Sequence, residues 1–141
     1  MAFKFHEHTA DIAFEATGKT LSELFQSAAE ALAETLIYNP DQIQPKILRN
    51  LSIQNQDLEF LLHDFLEELI FLKDTEGLLL RVEELNISDS PEGFLMTARL
   101  QGEPIDPVRH EQRADVKAVT FHQYRLEHQG TGWNCYIILD V

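Results

Sequence analysis

The chain opens on a two-residue rhythm: Phe3 and Phe5 alternate with Lys4 and His6, then Ile12, Phe14 and Ala16 with Ala13, Glu15 and Thr17. Successive side chains of a strand point to opposite faces, so this period predicts two short half-buried strands flanking His8-Thr9-Ala10-Asp11. After Gly18 the period changes to that of a helix. Leu21, Leu24, Phe25, Ala28, Leu32 and Leu36 fall on one face, Thr20 and Glu23 form a capping box at the start, and Asn39-Pro40 closes it. Alternation returns over residues 47–53 and predicts a third strand. Asp57 then caps a second helix, with Leu58, Leu61, Leu62, Phe65, Leu69 and Leu72 on its apolar face, Glu59, His63, Glu67 and Lys73 on its polar face, and Gly77 as its stop. The remainder is strand-like: 78–85 and 94–100 around a turn at Asp89-Ser90-Pro91-Glu92-Gly93, a loop over 101–114, strands at 116–121 and 124–128, and a final run over 133–141 after Gln129-Gly130-Thr131-Gly132. Two early helices followed by a string of hairpins predict an α+β fold: a single domain over 1–141, with a largely antiparallel sheet carrying both helices. A doubly wound parallel sheet would need helices between the later strands as well.

Composition sharpens this in one respect, which is sign. The 141 residues hold 24 Asp and Glu against 11 Lys and Arg, a net charge of −13. Such a surface repels phosphate, so direct nucleic-acid binding and docking on anionic lipid are disfavoured. Cys135 stands alone, which excludes an intrachain disulfide framework and a Cys-Cys zinc ribbon. The opening residues lack the basic and apolar blocks of a leader peptide, and no uncharged run approaches the ~20 residues of a membrane span. A cytoplasmic location is the expectation.

Candidate chemistry gathers at the two ends of the chain. The last strand puts Trp133, Cys135, Ile137, Leu139 and Val141 on one face and Asn134, Tyr136, Ile138 and Asp140 on the other. Asp140 therefore neighbours the α-carboxylate of Val141. If the strand holds that end in place, two carboxylates concentrate negative charge, and a hard cation with oxygen ligands is the usual remedy; a plain solvated rim fits the same residues. Asp11, between a strand and an apolar run, is a candidate third oxygen ligand or an ordinary turn cap. His6 and His8 share a strand face and, joined by His122, offer a competing zinc reading. His63 on a polar helix face and His110 and His128 near loops read as exposed. No nucleophile elbow, phosphate loop or dinucleotide fingerprint is present, Cys135 reads as a core residue, and the pairs Glu67-Glu68 and Glu83-Glu84 read as solvated. The residues themselves indicate no catalysis by this chain alone.

His8-Thr9-Ala10-Asp11-Ile12, the helix Leu61-Leu62-His63-Asp64-Phe65-Leu66-Glu67-Glu68-Leu69, the segment Lys117-Ala118-Val119-Thr120-Phe121-His122 and the terminal Ile137-Ile138-Leu139-Asp140-Val141 together resemble the archease family over the whole chain. Two aromatic swaps depart from its pattern, Phe121 for a frequent Tyr and Phe65 for a frequent Trp. The resemblance implies a non-catalytic protein factor for the tRNA-splicing RNA ligase that joins 3′-phosphate and 5′-hydroxyl ends. It implies that the factor promotes guanylylation of the ligase's active-site histidine and its multiple turnover, with GTP belonging to the ligase. It also implies a divalent cation, commonly Ca2+ with Mg2+ or Mn2+ as options, on Asp11, Asp140 and Val141, and supporting or partner-contacting roles for His8, Glu68, Lys117 and His122. A chaperone-like module for an RNA-modifying enzyme such as a tRNA methyltransferase is the alternative.

Overall fold

The computed structural model describes residues 2–7 and 11–141, with the elements β1 (Ala2–Glu7), β2 (Asp11–Gly18), α1 (Leu21–Leu36), β3 (Ile47–Asn55), α2 (Leu58–Glu76), β4 (Leu78–Ser90), β5 (Gly93–Pro104), β6 (Ala118–Val119), β7 (Arg125–Gln129) and β8 (Gly132–Asp140). Where one antiparallel sheet was expected, the strands form two. One runs β1-β2-β8-β6, with β7 also paired to β8; the other runs β3-β5-β4, and every pairing is antiparallel. β8 is the spine of the first sheet, because β2 pairs along nearly its whole length while β7 and then β6 share its opposite side.

Both helices touch strands of both sheets. That explains α1, which is buried around most of its circumference: Leu24, Phe25, Ala28, Leu32 and Leu36 face the core, and so do Ser27, Ala29, Ala31, Ala33 and Thr35. A helix gripped from two sides needs apolar or small residues nearly all round, and the alanines let the neighbouring backbones approach. Thr20 caps it as the sequence predicts, its Oγ1 accepting the Glu23 N–H at 3.1 Å while Glu23 accepts the Lys19 N–H. α2 buries Leu61, Leu62, Phe65, Leu66, Leu69 and Ile70, and Phe65 stacks on Phe25 of α1. Asp57 occupies the expected N-cap, but its side chain makes no capping bond; its own N–H is taken by Asn55 Oδ1 at 3.1 Å. Gly77 ends the helix in the left-handed region, φ 65°, where a glycine costs nothing sterically.

Other expectations need correcting too. Lys73, assigned to the polar face of α2, is buried: its stem lies in the core and its ammonium donates to Asp115 and to the Val116 carbonyl, both at 2.9 Å. The loop expected over 101–114 begins only after β5, since Gly102 and Glu103 continue the ladder with β4. His110, read as exposed, is fully buried. Its Nδ1 accepts the Asp106 N–H at 2.9 Å, so Nε2 carries the proton and donates to Glu103 at 3.1 Å. Glu103 is itself 1% exposed and also receives Arg109 and the Gln44 N–H. Burial pushes the Glu103 carboxyl up, but these donors outweigh it and hold it near about 2. The cluster ties the connection after β5 to the body of the fold.

Candidate functional site

The register of β2 against β8 sets Asp11 directly opposite Asp140. Opposed residues on adjacent antiparallel strands place their Cβ atoms about 4.5–5.5 Å apart on one face, and like charges so placed repel. The face is the outer one, because Phe14 and Ala16 of β2 and Cys135, Ile137 and Leu139 of β8 turn inward. Asp11 is half-buried, with its Oδ1 screened from solvent, while Asp140 is exposed and Val141 packs its side chain against the core. On the other side of β8, Ala118 stands opposite Asp140, and the Lys117 N–H donates to the Asp140 carbonyl at 2.8 Å.

Two predicted carboxylates thus come together, with Val141 and Lys117 beside them, although no sequence spacing demands it. Glu68 is half-buried on α2, Lys117 is exposed, and His122 is exposed in the turn that follows β6. His8 lies outside the described residues. Among the described residues no three His, Cys, Asp or Glu side chains are grouped to hold a metal. Asp11 and Asp140 bring two side-chain donors, and a third in this corner would be a main-chain oxygen at Val141. Opposed carboxylates that repel each other and offer only oxygen suit a hard divalent cation.

The zinc reading does not survive the topology. His6 sits on β1 and pairs with Glu15 at 2.8 Å, whereas His122 follows β6 at the far side of the sheet, three strand spacings or about 14 Å away. Nor is Cys135 a nucleophile: burial pushes its thiol up to about 12. A shallow depression of about 570 Å³ on the outer face lies at the opposite end of β8 from Asp140, and its Arg125 sits 3.7 Å from Glu15 and 3.4 Å from Glu127.

Sequence reasoning missed how β6 is held. Among the described residues its outward N–H and carbonyl meet no further strand, and α2 supplies both partners: Glu67 Oε1 accepts the Val119 N–H at 2.7 Å, and His63 Nε2 donates to the Val119 carbonyl at 2.9 Å. Glu67 is therefore a ladder partner in place of a backbone, not part of a solvated carboxylate pair. The one signal in the sequence is its four-residue spacing from His63 on a single helix face.

The archease protein family (MTH1598/TM1083) matches residues 3–141. "Protein archease" of Pyrococcus abyssi is 36% identical over 137 residues, covering 96% of each chain, and that of Sulfurisphaera tokodaii is 34% identical over 139 residues, covering 99% of this chain and 98% of its own. The solution structure of protein 1598 from Methanobacterium thermoautotrophicum superposes with a TM-score of 0.86 at 34% identity, covering 99% of this chain and 98% of that one. An archease of Thermotoga maritima, described as a possible chaperone, shares the fold with a TM-score of 0.67 at 21% identity over 96% of this chain and 94% of its own. End-to-end matches in sequence and in topology agree on one assignment, and this chain belongs to the archease family.

Proposed function

We propose that this chain is a non-catalytic accessory protein of the tRNA-splicing RNA ligase that joins 3′-phosphate and 5′-hydroxyl ends. It promotes guanylylation of the ligase's active-site histidine and so restores turnover; GTP belongs to the ligase. The observation that supports this most, beyond family membership, is the opposition of Asp11 and Asp140 at the end of two central strands. In this reading Asp11, Asp140 and a main-chain oxygen of Val141 hold a divalent cation, Ca2+ by preference and Mg2+ or Mn2+ otherwise. When bound there, the cation supplies positive charge that can offset phosphate charge at the partner's nucleotide site. The chain's own residues do the positioning. β8 fixes Asp140, β2 fixes Asp11, and the Lys117 N–H holds the Asp140 carbonyl so that the strand cannot fray there. Lys117 and His122 stand exposed on the same side of β8, where they can meet the ligase.

The test is guanylylation of ligase that has completed one turnover, with and without this protein. Asp11→Ala and Asp140→Ala should keep the fold and lose Ca2+ binding by calorimetry and multiple-turnover stimulation together; full stimulation by both variants would sink the reading. The chaperone-like alternative, which the description of the Thermotoga neighbour favours, predicts that suppression of client aggregation survives Asp11→Ala.

A further inference from the structure

At the start of α2 two phenyl rings pair in solvent, and Phe71, 55% exposed, adds a third farther along the same helix. Phe60, 47% exposed in the first turn of α2, and Phe121, 53% exposed just after β6, meet edge to face with centroids 5.6 Å apart. Phe121 also stacks on His63 at 4.1 Å and leans on Tyr124 at 5.4 Å. The backbone holds the pair outward. Residues Phe121 to Tyr124 form a tight turn closed by the Tyr124 N–H on the Phe121 carbonyl, and Gln123 adopts φ 53°, a left-handed conformation that glycine takes freely and glutamine does not. The Tyr124 hydroxyl donates to the Glu59 carbonyl at 2.6 Å and ties this turn to the helix. Rigid, half-exposed aromatic pairs are the anchors that interface cores use.

Charge selects the occupant. From Asp57 to Leu72 the chain carries five carboxylates, Asp57, Glu59, Asp64, Glu67 and Glu68, and no Lys or Arg. A second copy docked through the same face would set these five against five, and nucleic acid would bring phosphates to them; both arrangements are repelled. A basic protein surface is attracted instead, because an arginine can lay its guanidinium over a phenyl face while pairing with a neighbouring carboxylate. We propose that Phe60 and Phe121, rimmed by the α2 carboxylates, form the docking face for a protein partner that presents arginine side chains. Naming that partner as the RNA ligase rests on the function proposed above. Phe121 lies three residues, about 10 Å of extended chain, beyond Ala118, the residue opposite Asp140, so docking here sets the partner on the β6 side of the Asp11–Asp140 corner.

Calorimetric and kinetic binding to RNA-free ligase separates the possibilities. The double variant Phe60→Ser/Phe121→Ser should bind at least about tenfold more weakly, with melting temperature and Ca2+ affinity unchanged. Glu59→Lys should slow association and flatten its salt dependence. Val108→Ser, which removes a fully solvated apolar side chain elsewhere, should bind as wild type. Wild-type binding by the double variant overturns the docking face and leaves the ligase reading standing, whereas a wild-type protein that does not bind ligase at all overturns both. If the double variant fails to fold, Glu59→Lys decides alone, and unchanged association overturns the proposal. A wild-type dimer in sedimentation that the double variant converts to monomer assigns the rings to self-association and overturns it too.

Discussion

Asp11 and Asp140 are like charges set opposite each other across the ladder, an arrangement that by itself costs stability and that a cation relieves. Asp140→Asn should leave the cation-free protein as stable as wild type or more so, by up to about 1 kcal/mol. Ca2+ at about a hundred times its dissociation constant should then stabilise wild type by about 2.7 kcal/mol and the variant hardly at all, read as melting temperature against added CaCl2. Glu103 behaves in the opposite way. Its carboxyl is held near about 2 in the fold against an ordinary 4.5, so its contribution is complete above pH 4.5 and is lost as the pH falls toward 2. Glu103→Gln should lower the urea midpoint by a constant amount from pH 7 to pH 5, and the two curves should converge in acid. These residues differ in how well the sequence announces them. Asp140 stood out because it sits in an apolar strand; His110 did not, because its burial depends on a carboxylate seven residues earlier that looks like any other loop acid.

The connection that carries Lys117 is held from outside. β6 is only two residues long, and three side chains of α2 clamp its surroundings: Lys73 on Asp115 and the Val116 carbonyl, Glu67 and His63 on Val119. Glu67→Ala would strand a buried-edge N–H and should cost about 1–3 kcal/mol, with Glu67→Gln recovering part of it because an amide oxygen still accepts. Hydrogen exchange should show the amides of 117–120 opening in Glu67→Ala while the centre of α2 stays protected. Both helices and the last strand were legible in the sequence from their periods of 3.6 and 2, and the β4–β5 hairpin from its turn at residues 89–93, since the run of leucines and the bulge at Val82/Glu84 blur the alternation of β4. The division into two sheets was not, because period reports which face is apolar and says nothing of which strand lies alongside. For the same reason the strand expected over 116–121 shrank to Ala118 and Val119: its ladder on one side is made by side chains of α2, which no alternation records.

At the scale of the whole molecule, 24 acids against 11 bases make self-repulsion a general cost. Raising salt from low ionic strength to about 0.15 M, where the screening length falls to about 8 Å, should raise the melting temperature while weakening attraction to any basic partner. No described helix is long and apolar enough to cross a membrane. Cys135, the sole thiol, lies at the middle of β8 with Ala16 opposite on one side and Leu126 on the other. A disulfide reagent can reach this fully buried thiol only when the core around β8 opens, so the rate of thiol labelling is a built-in clock for that opening. A ligand that bridges β2 to β8 at Asp11 and Asp140 would slow the clock from some 15 Å away, with no engineered probe in the protein.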